Sequence, residues 1–313
     1  MRRPFLSEGM AKGLYSAFDS GTLEGVIDVN SSLGPWRLRS SNPETKSSVV
    51  IEGRPERVYL LVDAEVPERL NPAWRIVLND LSLTKVFRPN VVVGDLGVEH
   101  ALTVYDVTPV VRQGKNELKV TYKGEVPVVI NGVITVALYR AEKFSTTFSL
   151  EAGELVMDPG EERNERCEGS CIAFLKTSVT AKAVVESDNV RRVVPPETVE
   201  ELSFSKRLTV RNESQKGSVK LFALFRSKTV EPRIAVTGER TSGGIVIAYE
   251  GDIRLNKLIV NVLKNGVSVA YKVFEGVSPG DRVTLPVQDL ESGSLVRAVA
   301  VVAGYRKVMD FKV

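Results

Sequence analysis

The sequence predicts an all-β protein built as a string of three sandwiches. Three observations lead there. Short runs rich in Val, Ile and Tyr ("RVYLLVDAEV", "AWRIVLNDL", "VKLFALF", "LIVNVLKNG", "LVRAVAVVAGY") recur along the chain, separated by Gly, Pro, Asn or Asp. Many alternate: in "KNELKVTY", Leu118, Val120 and Tyr122 share one face, while Glu117, Lys119 and Thr121 share the other. Helical periodicity is nearly absent, "GMAKGLYSAF" near the start being its one sizeable candidate. Strands at this spacing, without intervening helices, pack as sandwiches.

Turn chemistry places two hairpins. "VNVLKNGVSVAYKVF" carries Asn265–Gly266 between alternating arms, and Asn-Gly suits a type I′ turn because both central residues need positive φ. "VVINGVITVALY" repeats the device at Asn131–Gly132, with Pro127 marking an edge or a strand start. "GGIVIAYEG" has no charge from Gly243 to Tyr249, so it reads as a central strand or as an edge awaiting a partner strand.

At 313 residues the chain suits two or three domains. The expected divisions are 1–143, 144–231 and 232–313, the last beginning after a charged segment that contains Pro232. An apolar fraction of 43% provides a substantial core, and a net charge of +3 spread along the chain leaves nucleic-acid binding no electrostatic footprint. Only three Gln occur (Gln113, Gln215, Gln288) while Lys, Arg, Glu and Val abound, a bias that fits a thermophilic source. The basic start has no apolar stretch after it, and no run is long enough to span a membrane. The expectation is a soluble cytoplasmic protein, or a cell-surface one had an upstream signal been removed.

"YDVTPVVRQGKNELKVTY" interrupts the strands with a corner. Asp106 and Thr108 suit N-cap positions and Pro109 the first position of a helical turn. Val110 and Val111 are expected to plug the sandwich end, Gly114 to supply a left-handed stop, and Asn116 to bond backbone as the chain re-enters a strand. This stretch resembles the Asp-Val-Thr…Gly-x-Asn-x-Leu segment of galactose-binding-like jelly rolls, which include the non-catalytic sugar-binding domain of β-galactosidase- and β-glucuronidase-type glycoside hydrolases. "WRIVLNDLSLTKV" is similar to that domain's strand ending in Leu-Asn-Gly, with Asp80 where the family has Gly. Archaeal and bacterial surface sandwich domains show a similar pattern, closing on a strand such as "VITVALY", and this resemblance implies an archaeal source. The resemblance covers about residues 50–140. It implies a jelly-roll-like first sandwich, followed by two immunoglobulin-like ones.

Candidate chemistry is sparse. His100 is the one histidine, so imidazole catalysis has a single candidate, and a half-buried structural role is expected for it. Cys167 and Cys171 in "RCEGSC" fit a disulfide across a hairpin ahead of two free thiols, and cannot complete a zinc site alone. The carboxylates of "ELVMDPGEERNERCEG" are expected in a solvated connector, without the alternating Asp/Asn of a calcium loop. Asn30 and Asn212 fit the glycosylation pattern. Trp74 is expected in the core with Ile76 and Leu78, whereas Trp36 beside Gly34 and Pro35 is the aromatic offered to a ligand.

No cofactor and no metal is expected. The leading functional expectation is a non-catalytic structural or protein-interaction protein, its partners being other protein chains or copies of itself. The alternative is carbohydrate binding by loops of the first sandwich. A glycoside hydrolase ranks third, because the chain lacks the catalytic barrel that accompanies such a domain.

Overall fold

The computed structural model describes residues 12–70, 73–84, 89–95, 97–287 and 294–313. The protein is all-β, with several antiparallel sheets forming sandwich-like modules. Among the described residues no helix is long and apolar enough to cross a membrane. Two compact units emerge: residues 1–22, 29–137 and 147–228 form one, and residues 23–28, 138–146 and 229–313 form the other. The first unit thus draws on both of the first two expected sandwiches.

The first sheet runs in the order Tyr15–Leu23, Ser145–Met157, Val219–Val230, Ser170–Thr177, Val199–Phe204. The second runs Gly25–Leu38, Val128–Arg140, Arg57–Pro67, Val98–Asp106, Val91–Asp95. In the first unit these two sheets face one another: Phe18 packs edge-on against Tyr59 at 5.2 Å, and Lys220 reaches Asp63. A third sheet (Glu162–Arg166, Arg207–Asn212, Ala183–Ser187, Val190–Val194) covers the other face of the first. A fourth (Glu44–Ile51, Gly114–Thr121, Arg75–Leu78, Leu81–Ser82) carries Ile51, Ile76, Leu78, Leu118 and Val120 in the core.

The Val219–Val230 strand explains why the first sheet is covered on both faces. Val219, Leu221 and Leu224 join the core shared with Ala183, Val185, Leu208 and Val210. Lys220 and Phe222 point the other way, as the two-residue period requires. A bulge opposite Phe174/Leu175 shifts the register beyond them.

The second unit holds a fifth sheet, Val236–Thr241, Gly244–Tyr249, Arg282–Leu285, and a sixth, Val267–Glu275, Lys257–Lys264, Leu295–Val302, Tyr305–Lys312. Gly244–Tyr249 is the middle strand of its sheet, so its uncharged run is central and not an open edge. Asn265 (φ 51°) and Gly266 (φ 81°) form the expected turn between paired Lys264 and Val267.

Three expectations need correction. Val128–Arg140 is one unbroken strand, with no turn at Asn131–Gly132. Asn131 is fully buried there and its side-chain N–H donates to Asp63 Oδ2 (2.8 Å), while the β-branched residues on both sides favour extension. The stretch read as helical is extended over its described part: Lys12 bridges Val156, and Tyr15–Leu23 is a strand, while residues 9–11 lie outside the described residues. The acidic stretch is not a solvated connector. Glu162–Arg166 pairs with Arg207–Asn212, Glu165 binds Arg163 and Arg226, and Glu154 is fully buried.

Candidate functional site

The corner at residues 105–122 is a network of side-chain bonds to backbone. Asp106 Oδ1 accepts from the Thr108 N–H (3.0 Å) and hydroxyl (2.6 Å), and Thr108 Oγ1 accepts from the Val58 N–H (2.9 Å). One helical turn follows, its N–H groups from Val110 and Val111 bonding the Val107 carbonyl. Val107 is the buried plug, whereas the expected plugs Val110 and Val111 are half-buried. Gly114 has φ 90°, the left-handed region. Buried Asn116 closes the corner: its Oδ1 accepts from the Arg112 N–H (2.7 Å), and its Nδ2 donates to the carbonyls of Arg112 (2.7 Å) and Gly114 (3.0 Å). Asn79 joins it, and Asn79 and Asp80 both take positive φ in the turn between Leu78 and Leu81. The side-chain bonds of Asp106, Thr108 and Asn116 go into the corner itself, while Asn79, Asp80 and Arg112 border a cleft of about 530 Å³.

The remaining single residues scatter. Cys167 and Cys171 form a disulfide with Cα atoms 6.0 Å apart, both in the core. They do not close a hairpin: the flanking strands belong to the third and first sheets, so the bridge staples an arch between layers. Asn212 is buried, its Nδ2 donating to the carbonyls of Met157 (3.1 Å) and Gly217 (3.0 Å), which closes it to a glycan. Asn30 is exposed on its strand. Trp74 is half-buried beside fully buried Ile76 and Leu78. Trp36 is half-buried too, in a cleft of about 350 Å³ with Asn42, Glu44 and Thr45.

His100 is more deeply buried than expected. Its Nδ1 has no hydrogen-bond partner, and Glu65 Oε1 stands 3.9 Å away. Burial, helped by the Lys220 charge, pulls its pKa down to about 3, so the ring is neutral. Nearby, Lys220 Nζ lies 2.9 Å from Asp63 Oδ1 and 3.1 Å from Glu154 Oε2. Burial opposes the Lys220 charge, but Asp63, Glu154 and Glu65 outweigh it and raise its pKa. Burial and the Asp63 charge push the Glu154 carboxyl well above the usual carboxylate range. The sequence reading missed this set. Its signal was charge at inward positions of apolar runs: Asp63 in "LLVDAEV", Glu154 in "AGELVM", Lys220 in "VKLFALF". Among the described residues no group of His, Cys, Asp or Glu is placed to hold a metal ion.

The sixth sheet presents a different kind of surface. Leu258, Val260, Val262, Val296, Ala298 and Ala300 fill its buried face. On the other face the register places Val273, Ile259, Val299 and Val308 side by side across all four strands. Val308 is 57% exposed and Val273 38%. The next row carries Tyr271, Asn261, Arg297 and Asp310, with Arg297 and Asp310 joined by two bonds of 2.9 and 2.7 Å.

No protein-family model matches the sequence, and no curated protein matches it. Among solved structures, the Endo-D glycoside hydrolase domain from Streptococcus pneumoniae R6 is 14% identical, covers 55% of this chain and 36% of its own, and superposes with a TM-score of 0.18. A β-glucuronidase from Ruminococcus gnavus is 12% identical over 86% of this chain and 35% of its own (TM-score 0.19). The BSP domain of a biofilm-associated protein is 9% identical over 91% and 66% (TM-score 0.20). The chain thus spans about a third of the first two. Likenesses this low fix neither family nor function.

Proposed function

We propose that the chain is a non-catalytic interaction protein that associates with a second copy of itself through the outer face of the sixth sheet. The observation that carries this reading is the apolar row Val273–Ile259–Val299–Val308, aligned across four strands on a face that the described residues leave open. A lone exposed valine needs no explanation, but a row in register does. A second copy is the partner chosen because the neighbouring row holds both signs, Arg297 beside Asp310, so two copies meet without like-charge repulsion. Two-fold pairing is also the commonest closed symmetry.

Sedimentation velocity over a wide concentration range tests it. The wild-type chain should shift from monomer to dimer, while Val308→Lys and Val273→Lys should stay monomeric with nearly unchanged melting temperatures. A wild-type chain that is monomeric throughout, or variants that still dimerise, would overturn the reading.

Carbohydrate binding remains the second reading, on one observation: half-buried Trp36 lines a cleft with Asn42, Glu44 and Thr45. A glycan screen with wild type and Trp36→Ala separates the two readings, because it is indifferent to the dimer face.

A further inference from the structure

A separate cleft of about 490 Å³ opens in the first unit, with its walls on strands of the first and second sheets and the loops beside them. Val66, Val98, Val129 and Val179 contribute aliphatic wall. Its charged lining sets Arg37, Lys176 and exposed Lys216 against Glu65, Asp95 and Glu197. Three carboxylates border it: Asp95 accepts from Lys12 Nζ (2.9 Å) and Glu197 pairs with Arg37, while Glu65 accepts from the neutral Asn131 amide (3.3 Å) and supplies the negative charge that acts most on Lys176 from beyond ion-pair distance. Lys176 also lines it and is only 4% exposed, yet among the described residues no carboxylate lies within ion-pair distance of its ammonium and no hydrogen bond is made by it. Lys176 stands directly opposite Lys220 in the register, so the two lysines share a face, and Lys220 has claimed Asp63 and Glu154. His100, 5% exposed, borders the same cleft, and its buried Nδ1 has no hydrogen-bond partner.

An unpaired buried ammonium is costly, and proteins keep such groups where a ligand completes them. We propose that this cleft binds a small aliphatic carboxylate, with Lys176 as its counter-ion and His100 as its hydrogen-bond partner. One buried ammonium without an ion-pair partner among the described residues matches one carboxylate, and the other free cation of the lining, Lys216, is exposed. The aliphatic walls call for an apolar body on the anion, and the volume is that of a small-molecule site. The energetics agree: burial lowers the Lys176 pKa, with Lys220 and Arg37 acting in the same direction against Glu65 and Glu197.

Calorimetric titration of the full chain with octanoate tests the assignment, with octan-1-ol as the uncharged comparator. Wild type should bind octanoate at least tenfold more tightly than the alcohol. Lys176→Met should lose at least tenfold in octanoate affinity while its melting temperature rises, because an uncompensated charge has left the interior. Lys176→Gln provides a second, polar replacement with the same expected loss. Absence of octanoate binding by wild type, equal binding of the alcohol, or unchanged octanoate affinity in either variant would overturn the proposal. None of these outcomes depends on the dimer face.

Discussion

Lys220 donates a 2.9 Å hydrogen bond to Asp63, and neither side chain is open to water. The two residues stand on facing sheets of the first unit, and Asn131 Nδ2 holds the second Asp63 oxygen at 2.8 Å. Breaking a buried pair from one side strands the other charge, which costs about 3–5 kcal/mol. Lys220→Met should therefore lower denaturant stability by that order. Converting the stranded partner to a neutral one, in Lys220→Met/Asp63→Asn, should recover at least half of the loss, because burial already pushes the Glu154 carboxyl toward its neutral form. Urea unfolding of the three proteins checks this. A double variant as unstable as the single one would show that the cost lies in packing and not in charge.

The corner yields a second prediction. Asn116 makes three bonds of 2.7 to 3.0 Å to its own turn and a fourth, of 2.6 Å, with Asn79. Each net bond contributes about 1 kcal/mol, so Asn116→Ala should cost about 2–3 kcal/mol. Gly114→Val should cost roughly 1 kcal/mol or more, from backbone strain alone, since a Cβ there meets nothing within 4 Å. Urea midpoints measure both; a Gly114→Val protein as stable as wild type would refute the left-handed account.

That corner was legible in the sequence because its chemistry is local. Asp106 bonds two residues on, and Asn116 bonds the turn just before it, so spacing alone carries the information. The Asn265–Gly266 turn was legible for the same reason, its two positive φ values being written in two adjacent residues. Asn131–Gly132 misled because the same pair was needed for another task. Its Asn is bound to Asp63, 68 positions away, and no turn signal can report that. The Asp63–Glu154–Lys220 set was hidden likewise, since its members meet only when two sheets stack. The second unit's apolar row is equally invisible in any one strand, for it exists only across the register of four.

The last prediction uses the fact that His100 is the chain's single histidine, so one imidazole titration is seen without overlap. Its surroundings oppose protonation. Burial is the largest cause, Lys220 and Lys176 add to it, and Asp63 and Asp95 act the other way without prevailing. In the unfolded chain the ring titrates near its ordinary value of about 6.5. Folded, it does so at about 3. Between these values the unfolded state binds a proton that the folded state refuses, so acid draws the equilibrium toward unfolding. Stability from this group is complete above about pH 6.5 and falls by about 1.4 kcal/mol for each unit below that, until the folded ring accepts its proton. The His100→Gln protein lacks the term, so its unfolding free energy should change less between pH 7.5 and 4.5 than that of wild type. Urea unfolding at the two pH values gives the comparison, and NMR of the ring should show it neutral in the folded protein throughout that range. A ring that titrates near pH 6.5 in the folded protein would place His100 in contact with water and refute its burial.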